Sequence, residues 1–173
     1  IPDEQMAQFW QREVRPILEP ITVGRYRLAA IQIRYQWHCE EIERKYHNMF
    51  KIAIFDFISP GPTGGNAPFG CYVHDGTPKV AFFVPFLQKT FYDLQRINPR
   101  NFRQVFESFL VIGFLHELDH LALGILSYNV AETVNDECIV WAHTCEYAIR
   151  LFAEVYREEI DASNSLYYSA WVR

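Results

Sequence analysis

His116 and His120 stand four residues apart inside a long apolar run, in the pattern His-Glu-Leu-Asp-His. Positions four apart face the same side of an α-helix, one turn above each other, so a helix would bring the two imidazoles together. Two imidazoles placed in this way can hold one metal ion, and Glu117, beside the first, can reach a water bound to that ion. The pattern therefore predicts a helix with a metal site on one face.

The residues before the motif predict where this helix begins. Asn101 comes two residues after Pro99 and is a favourable N-cap residue. From there to the motif, apolar residues recur with helical spacing, namely Phe102, Val105, Phe106, Phe109, Leu110, Ile112, Gly113, Leu115 and Leu118. Two histidines in such an apolar setting must be hydrogen-bonded or metal-bound, because an unpaired buried polar group is costly.

A catalytic zinc site needs a third protein ligand and leaves the fourth position to water. The spacing H-E-x-x-H-x-x-G-x-x-H would supply a further histidine, but Leu126 stands at that position. Acidic residues follow on a second predicted helix over residues 129–157. The candidates for the third ligand are therefore Glu137, Glu132 and Glu146.

The apolar pattern of this second helix favours Glu137. Its apolar positions advance by three or four residues and predict one stripe, formed by Ala131, Val134, Cys138, Trp141, Cys145, Ile149, Phe152 and Tyr156. We expect this stripe to pack on the motif helix. At roughly 100° per residue, Glu137 borders the stripe whereas Glu132 lies almost opposite.

Residues 102–141, and weakly the hairpin before them, resemble the zincin metallopeptidases and, within these, the gluzincin group, in which a glutamate on a following helix completes the metal site. The resemblance implies zinc held by His116, His120 and Glu137. It also implies that Glu117 is the catalytic residue, activating water to hydrolyse a peptide or protein substrate. The alternative is a zincin-like regulatory or binding module that holds zinc without cleaving peptides.

Two assignments stay open. Glu132 and Asp136 match the E-x-x-x-D pattern of thermolysin-like enzymes, in which the aspartate orients a ligand histidine, so Glu132 remains an alternative ligand. The donor that would stabilise an oxyanion is not singled out by any pattern. Its candidates are Tyr128, His143, Tyr147, Tyr167 and Tyr168.

The other histidines lack metal-ligand spacing. His38, His47 and His74 are expected at the surface or at caps, and His143 is expected to be exposed on the polar side of its helix. Asp119, in the second variable position of the motif, is expected to face away from the metal.

The whole chain, residues 1–173, predicts one small zincin-like α+β domain: N-terminal helices, a small mixed sheet of about three to four strands, the motif helix and a long C-terminal helix. Helices are predicted over residues 3–19, 28–49 and 85–97, with a distortion at Pro16 and a connector over 20–24. Strands are predicted over 51–57, 69–73 and 79–84, the last two forming a hairpin. In zincins the strand shortly before the motif helix pairs with an extended substrate, a role expected here for residues 79–84.

Composition narrows the partners and the compartment. The net charge is −5 with no basic cluster, which argues against nucleic acid and anionic membranes. No apolar run approaches the ~20 uncharged residues of a membrane span. The four cysteines form no C-x-x-C pair, and Cys138 and Cys145 lie too far apart on one helix for a disulfide, so we expect reduced, mostly buried thiols. Together with the lack of a signal-like segment, this favours a cytoplasmic location.

Overall fold

The computed structural model describes residues 2–26, 28–47, 55–58, 67–126 and 130–155, and only the backbone of residues 2–3, 55–58, 130–132 and 151–155. In chain order the elements are α1 (Pro2–Phe9), a π-helical segment (Trp10–Val14), α2 (Arg15–Thr22), α3 (Ala29–Tyr46), β1 (Phe55–Ile58), β2 (Phe69–His74), β3 (Thr77–Phe83), α4 (Val84–Ile97), α5 (Phe102–Leu123) and α6 (Val130–Val155). This combination of helices with a small sheet is α+β, as predicted. Within the described ranges no helix has the length and apolar character needed to cross a bilayer.

The first helical stretch is longer than predicted and changes its winding midway. In the π-helical segment, Arg15 donates its backbone N–H to the carbonyl of Trp10, one residue further back than in an α-helix. Pro16 follows directly, which agrees with the predicted distortion. The predicted connector is wrong because Pro20 lies inside α2. The helix continues past it since Leu18 and Ile21 are fully buried on the same element.

The described strands form a mixed sheet in the order β1-β3-β2. β2 and β3 form the predicted antiparallel hairpin, whose turn residues Asp75 and Gly76 have the positive φ values, 48° and 73°, that a tight two-residue turn requires. β1 pairs with the other side of β3 in parallel. The expectation that residues 79–84 pair with an extended substrate is therefore wrong, because β3 already has a strand on both sides. β3 is central, and among the described strands β2 lies at an edge next to α5.

α5 is buried on every side, not along one stripe. Residues 110–122 are buried without a break, and α2, α3, α4, α6 and the β2–β3 hairpin all contact the helix. Asn101 occupies the predicted N-cap position, although its side chain makes no capping hydrogen bond. The polar side chains within this buried stretch have little contact with bulk water and need partners in the protein. These are His116, Glu117, Asp119 and His120.

Gly113 allows β2 to lie directly against α5. A Cβ atom at this position would lie only 2.2 Å from Cε2 of Phe69, the first residue of β2. The ring of Phe69 thus rests on the backbone of the motif helix, one turn before His116. The missing side chain sets the distance between the strand and the site.

Replacing Gly113 with alanine is expected to lower the free energy of unfolding by about 1–2 kcal/mol. Overpacking against Phe69 should exceed the gain of roughly 1 kcal/mol in helix propensity. Urea denaturation measures the change. Combining Gly113→Ala with Phe69→Leu, which makes room for the methyl group, should recover part of the loss. Strictly additive effects of the two substitutions would contradict this contact.

Candidate metal centre

Glu137 of α6 faces the two motif histidines. Its Oε2 lies 3.1 Å from Nε2 of His116, and its Oε1 lies 2.9 Å from Nε2 of His120. All three residues offer ligand atoms within 4.8 Å of one another. Ligands about 2.1 Å from a tetrahedral metal are about 3.4 Å apart, so small side-chain movements would let all three bind one ion.

The other two candidates for the third ligand are not found in this cluster. Glu146 is exposed on α6, and the side chain of Glu132 lies outside the described residues. Among the acidic residues whose side chains are described, Glu137 is the one that joins the histidines.

The face of α6 that packs on α5 differs from the predicted stripe. Val134 and Ile149, both in that stripe, are 66% and 58% exposed, whereas Val140 and Thr144 are fully buried. At 100° per residue, the buried residues Val140, Thr144 and Ala148 lie roughly 100° around the helix from the centre of that stripe. Glu137 lies on the packed face itself, so its position was predicted correctly from a partly wrong stripe. The prediction of the packed face failed because Glu137 and Thr144 place polar side chains on the buried side of α6.

The end of α5 determines which nitrogen of His120 is available. Gly124 follows the helix with φ 69°, and the N–H of Ile125 donates to the carbonyl of His120 at 3.0 Å. This turn brings the carbonyl of Ile125 to 2.8 Å from Nδ1 of His120. A carbonyl can only accept, so Nδ1 carries the hydrogen and Nε2 is available to a metal.

For His116, the hydrogen-bond acceptor at Nδ1 is the hydroxyl of Thr144. Nδ1 of His116 lies 3.0 Å from Oγ1 of Thr144, and Thr144 donates its hydroxyl hydrogen to Oδ2 of Asp119 at 2.7 Å. The hydroxyl therefore accepts from Nδ1, which leaves Nε2 facing Glu137. Trp141 stacks on the same ring, with centroids 3.9 Å apart. Both imidazoles thus present Nε2 to one point.

Glu117, the predicted catalytic residue, is only 8% exposed. Burial raises its pKa, while the nearby His116 and His120 act in the opposite direction. Its carboxyl group is hydrogen-bonded to the thiol of Cys71 on β2. Sequence reasoning did not connect Cys71 with the site, since no local pattern reveals how β2 lies against α5.

All four cysteines are free thiols, as predicted. The expectation that they are mostly buried is wrong for Cys138, which is exposed, and the remaining three are partly exposed. Cys138 lies on the side of α6 that also carries the exposed Val134 and Ile149, which explains its exposure.

Asp119 is buried between α5, α3 and α6. Its carboxylate is in contact with Arg34, His38, His143, Thr144 and Tyr147. Burial would raise the pKa of Asp119, but hydrogen bonds from His38, Tyr147 and Thr144 outweigh it and hold the pKa well below its ordinary value. These partners lie on α3 and α6, and Asp119 does not belong to the cluster of His116, His120 and Glu137.

Two expectations about histidines are wrong because of Asp119. His38 is 0% exposed, and its Nε2 lies 2.6 Å from the carboxylate. His143 is half-buried, 3.1 Å from the same oxygen. A buried charge recruits polar partners from helices that are distant in sequence, which periodicity within one helix cannot show. His47 and His74 are exposed, as predicted, and His47 is the C-cap residue of α3.

Two of the candidate oxyanion donors, Tyr147 and His143, are described, and neither belongs to the metal cluster. Tyr147 donates its hydroxyl to Asp119 at 2.7 Å, and His143 contacts Asp119 and Arg34. Tyr128, Tyr167 and Tyr168 lie outside the described residues.

Comparison with known proteins yields no match: no protein family, no characterised protein and no solved structure is significantly similar to this chain. What the site can do therefore has to be argued from its own geometry.

Without metal, His120 and Glu137 form an ion pair. Burial alone would lower the pKa of His120, but the hydrogen bond to Glu137 and the charge of Glu117 raise it to about 9. Burial alone would raise the pKa of Glu137, but hydrogen bonds from His116 and His120 lower it to about 2. Each partner therefore stabilises the charged form of the other.

In EDTA, the melting temperature is expected to fall as the pH rises from 6.5 to 9. The stabilisation linked to His120 is complete below its ordinary pKa of 6.5 and is lost as the pH passes about 9. That linked to Glu137 is complete above 4.5 and is lost only as the pH falls toward about 2. Glu137→Gln should reduce the loss at high pH, whereas Glu146→Gln, on the exposed side of α6, should retain it. An unchanged pH profile in Glu137→Gln would contradict the pairing.

Proposed function

We propose that this chain is a zinc-dependent metallopeptidase of the gluzincin type. The observation that supports this most directly is the convergence of His116, His120 and Glu137 on one point, with Glu117 buried beside the same histidines. Two imidazoles and one carboxylate are a ligand set of catalytic zinc sites, which keep a further position for water. Zinc bound there would lower the pKa of a water molecule and polarise a carbonyl group.

The protein's own groups have distinct roles in this proposal. His116 and His120 hold the ion through Nε2 because their Nδ1 atoms are bound to Thr144 and to a backbone carbonyl. Glu117 takes a proton from water and passes it to the leaving amine. Burial raises its pKa above the ordinary value of a glutamate, which makes the carboxylate a better proton acceptor. Its hydrogen bond with Cys71 restricts the orientation of the carboxyl group.

We further propose that the substrate lies along β2, which is an edge strand among the described strands, and not along β3. Cys71 of β2 reaches Glu117, so the strand passes beside the proposed catalytic carboxyl. An extended peptide can add to such an edge through main-chain hydrogen bonds.

One observation favours the alternative, a zinc-binding module that does not cleave peptides. Among the described residues, the oxyanion candidates Tyr147 and His143 are bound to Asp119. Peptidase activity therefore requires another donor, and activity measurements separate the two functions.

Glu117→Gln is expected to retain zinc and to lose peptide hydrolysis by about 100-fold or more, since general acid–base catalysis contributes roughly 10²–10⁴-fold. His120→Ala and Glu137→Ala should lose zinc. Elemental analysis and turnover of a mixed fluorogenic peptide pool, with and without chelator, measure the two properties. Glu146→Gln serves as the control and should match the unaltered protein. Full activity in Glu117→Gln would exclude its role as the base.

A peptide cleaved from that pool should bind less tightly when its backbone is N-methylated at alternate residues. Losing one main-chain hydrogen bond to β2 should raise KM by about tenfold, which corresponds to about 1.4 kcal/mol. Methylation at the intervening residues, whose N–H groups point to the opposite side, is the control. If both sets of peptides gave the same KM, pairing along β2 would be wrong.

A further inference from the structure

We infer that Asp119 is a positioning residue that fixes the ring of His116 through the hydroxyl of Thr144. This rests on the proposed function, because His116 is a metal ligand only if the site binds zinc. The motif itself would thus supply both a metal ligand and, three residues later, the carboxylate that orients it.

The connection between the two residues runs across α6. Oδ2 of Asp119 accepts the hydroxyl hydrogen of Thr144 at 2.7 Å, and Oγ1 of Thr144 lies 3.0 Å from Nδ1 of His116. Thr144 is fully buried, so water does not compete for these bonds. A carbonyl, that of Val140, also lies 3.0 Å from the hydroxyl. The carboxylate is the stronger acceptor, so it determines where the single hydroxyl hydrogen points.

The direction of that hydrogen matters for the metal. With its hydrogen on Asp119, the hydroxyl can only accept from His116, and the imidazole carries its proton on Nδ1. Without metal, Nε2 is hydrogen-bonded to Glu137 at 3.1 Å; a bound ion would replace that hydrogen at the point shared with His120 and Glu137. A ring with the opposite tautomer would present an N–H there and could not bind an ion through Nε2.

Asp119 is itself held from α3 and α6. Arg34 donates to Oδ1 at 3.1 Å, Nε2 of His38 lies 2.6 Å from the same oxygen, and Tyr147 donates to Oδ2 at 2.7 Å. Arg34 in turn lies over the rings of Trp37 and Tyr147, at 4.2 Å and 4.4 Å from their centroids. A carboxylate gripped on both oxygens cannot rotate freely, so it can hold Thr144 in one orientation.

A matched pair of substitutions tests the inference. Thr144→Val keeps the shape but removes the hydroxyl, and Thr144→Ser keeps the hydroxyl. Competition with a chromogenic chelator should show a 10- to 100-fold weaker zinc affinity in Thr144→Val and an affinity within about threefold of the unaltered protein in Thr144→Ser. Equal affinities in all three proteins would overturn the inference while leaving the proposed function intact. Failure of the unaltered protein to bind zinc would overturn both.

A second measurement needs no variant and therefore does not depend on Thr144→Val folding. In the zinc-loaded protein with ¹⁵N-labelled histidine, NMR should show Nδ1 of His116 protonated and Nε2 bound to metal. Metal bound to Nδ1, or a fully exposed and rapidly exchanging Nδ1 proton, would overturn the inference. Neither readout involves peptide cleavage, so the result stands apart from the question of catalysis.

Discussion

The burial of α5 over residues 110–122 is the constraint on which the rest of this structure depends. Four of five consecutive residues, from His116 to His120, carry polar side chains in that buried helix. Each would cost several kcal/mol if left unpaired. The surrounding elements therefore have to supply partners, which come from α3, α6, β2 and the turn that ends α5. The candidate metal centre consists of the hydrogen bonds and ion pairs that give these buried side chains their partners.

The pairing gives three neighbouring carboxyl groups different protonation behaviour. Glu137 lies between two histidines, and Asp119 is hydrogen-bonded to His38, Tyr147 and Thr144. In both cases these partners outweigh burial and lower the pKa. Burial dominates for Glu117, whose pKa is raised. Groups of one chemical type thus differ in protonation, because environment and not residue identity sets their proton affinity.

Much of the secondary structure and the outline of the site could be predicted. The 3.6-residue apolar spacing predicted α5, and the Asp-Gly turn predicted the β2–β3 hairpin. In any helix, the four-residue spacing of His116 and His120 places both side chains on one face. The face of α6 was misjudged because Thr144 and Glu137 place polar atoms on the buried side. His38, Cys71 and Thr144 carry no local signal, because each gains its role from a residue on another element.

By itself, the sequence determined that two imidazoles and a carboxylate would share one end of a helix, since helical geometry fixes the relation of residues four apart. How that helix ends at Gly124, and which nitrogen of His120 is therefore available, was visible only in the structure. Only the tertiary structure decided which glutamate closes the cluster, which strand borders it and which groups surround Asp119. Those choices depend on how separate elements pack, and packing energies are summed over contacts between residues far apart in the chain.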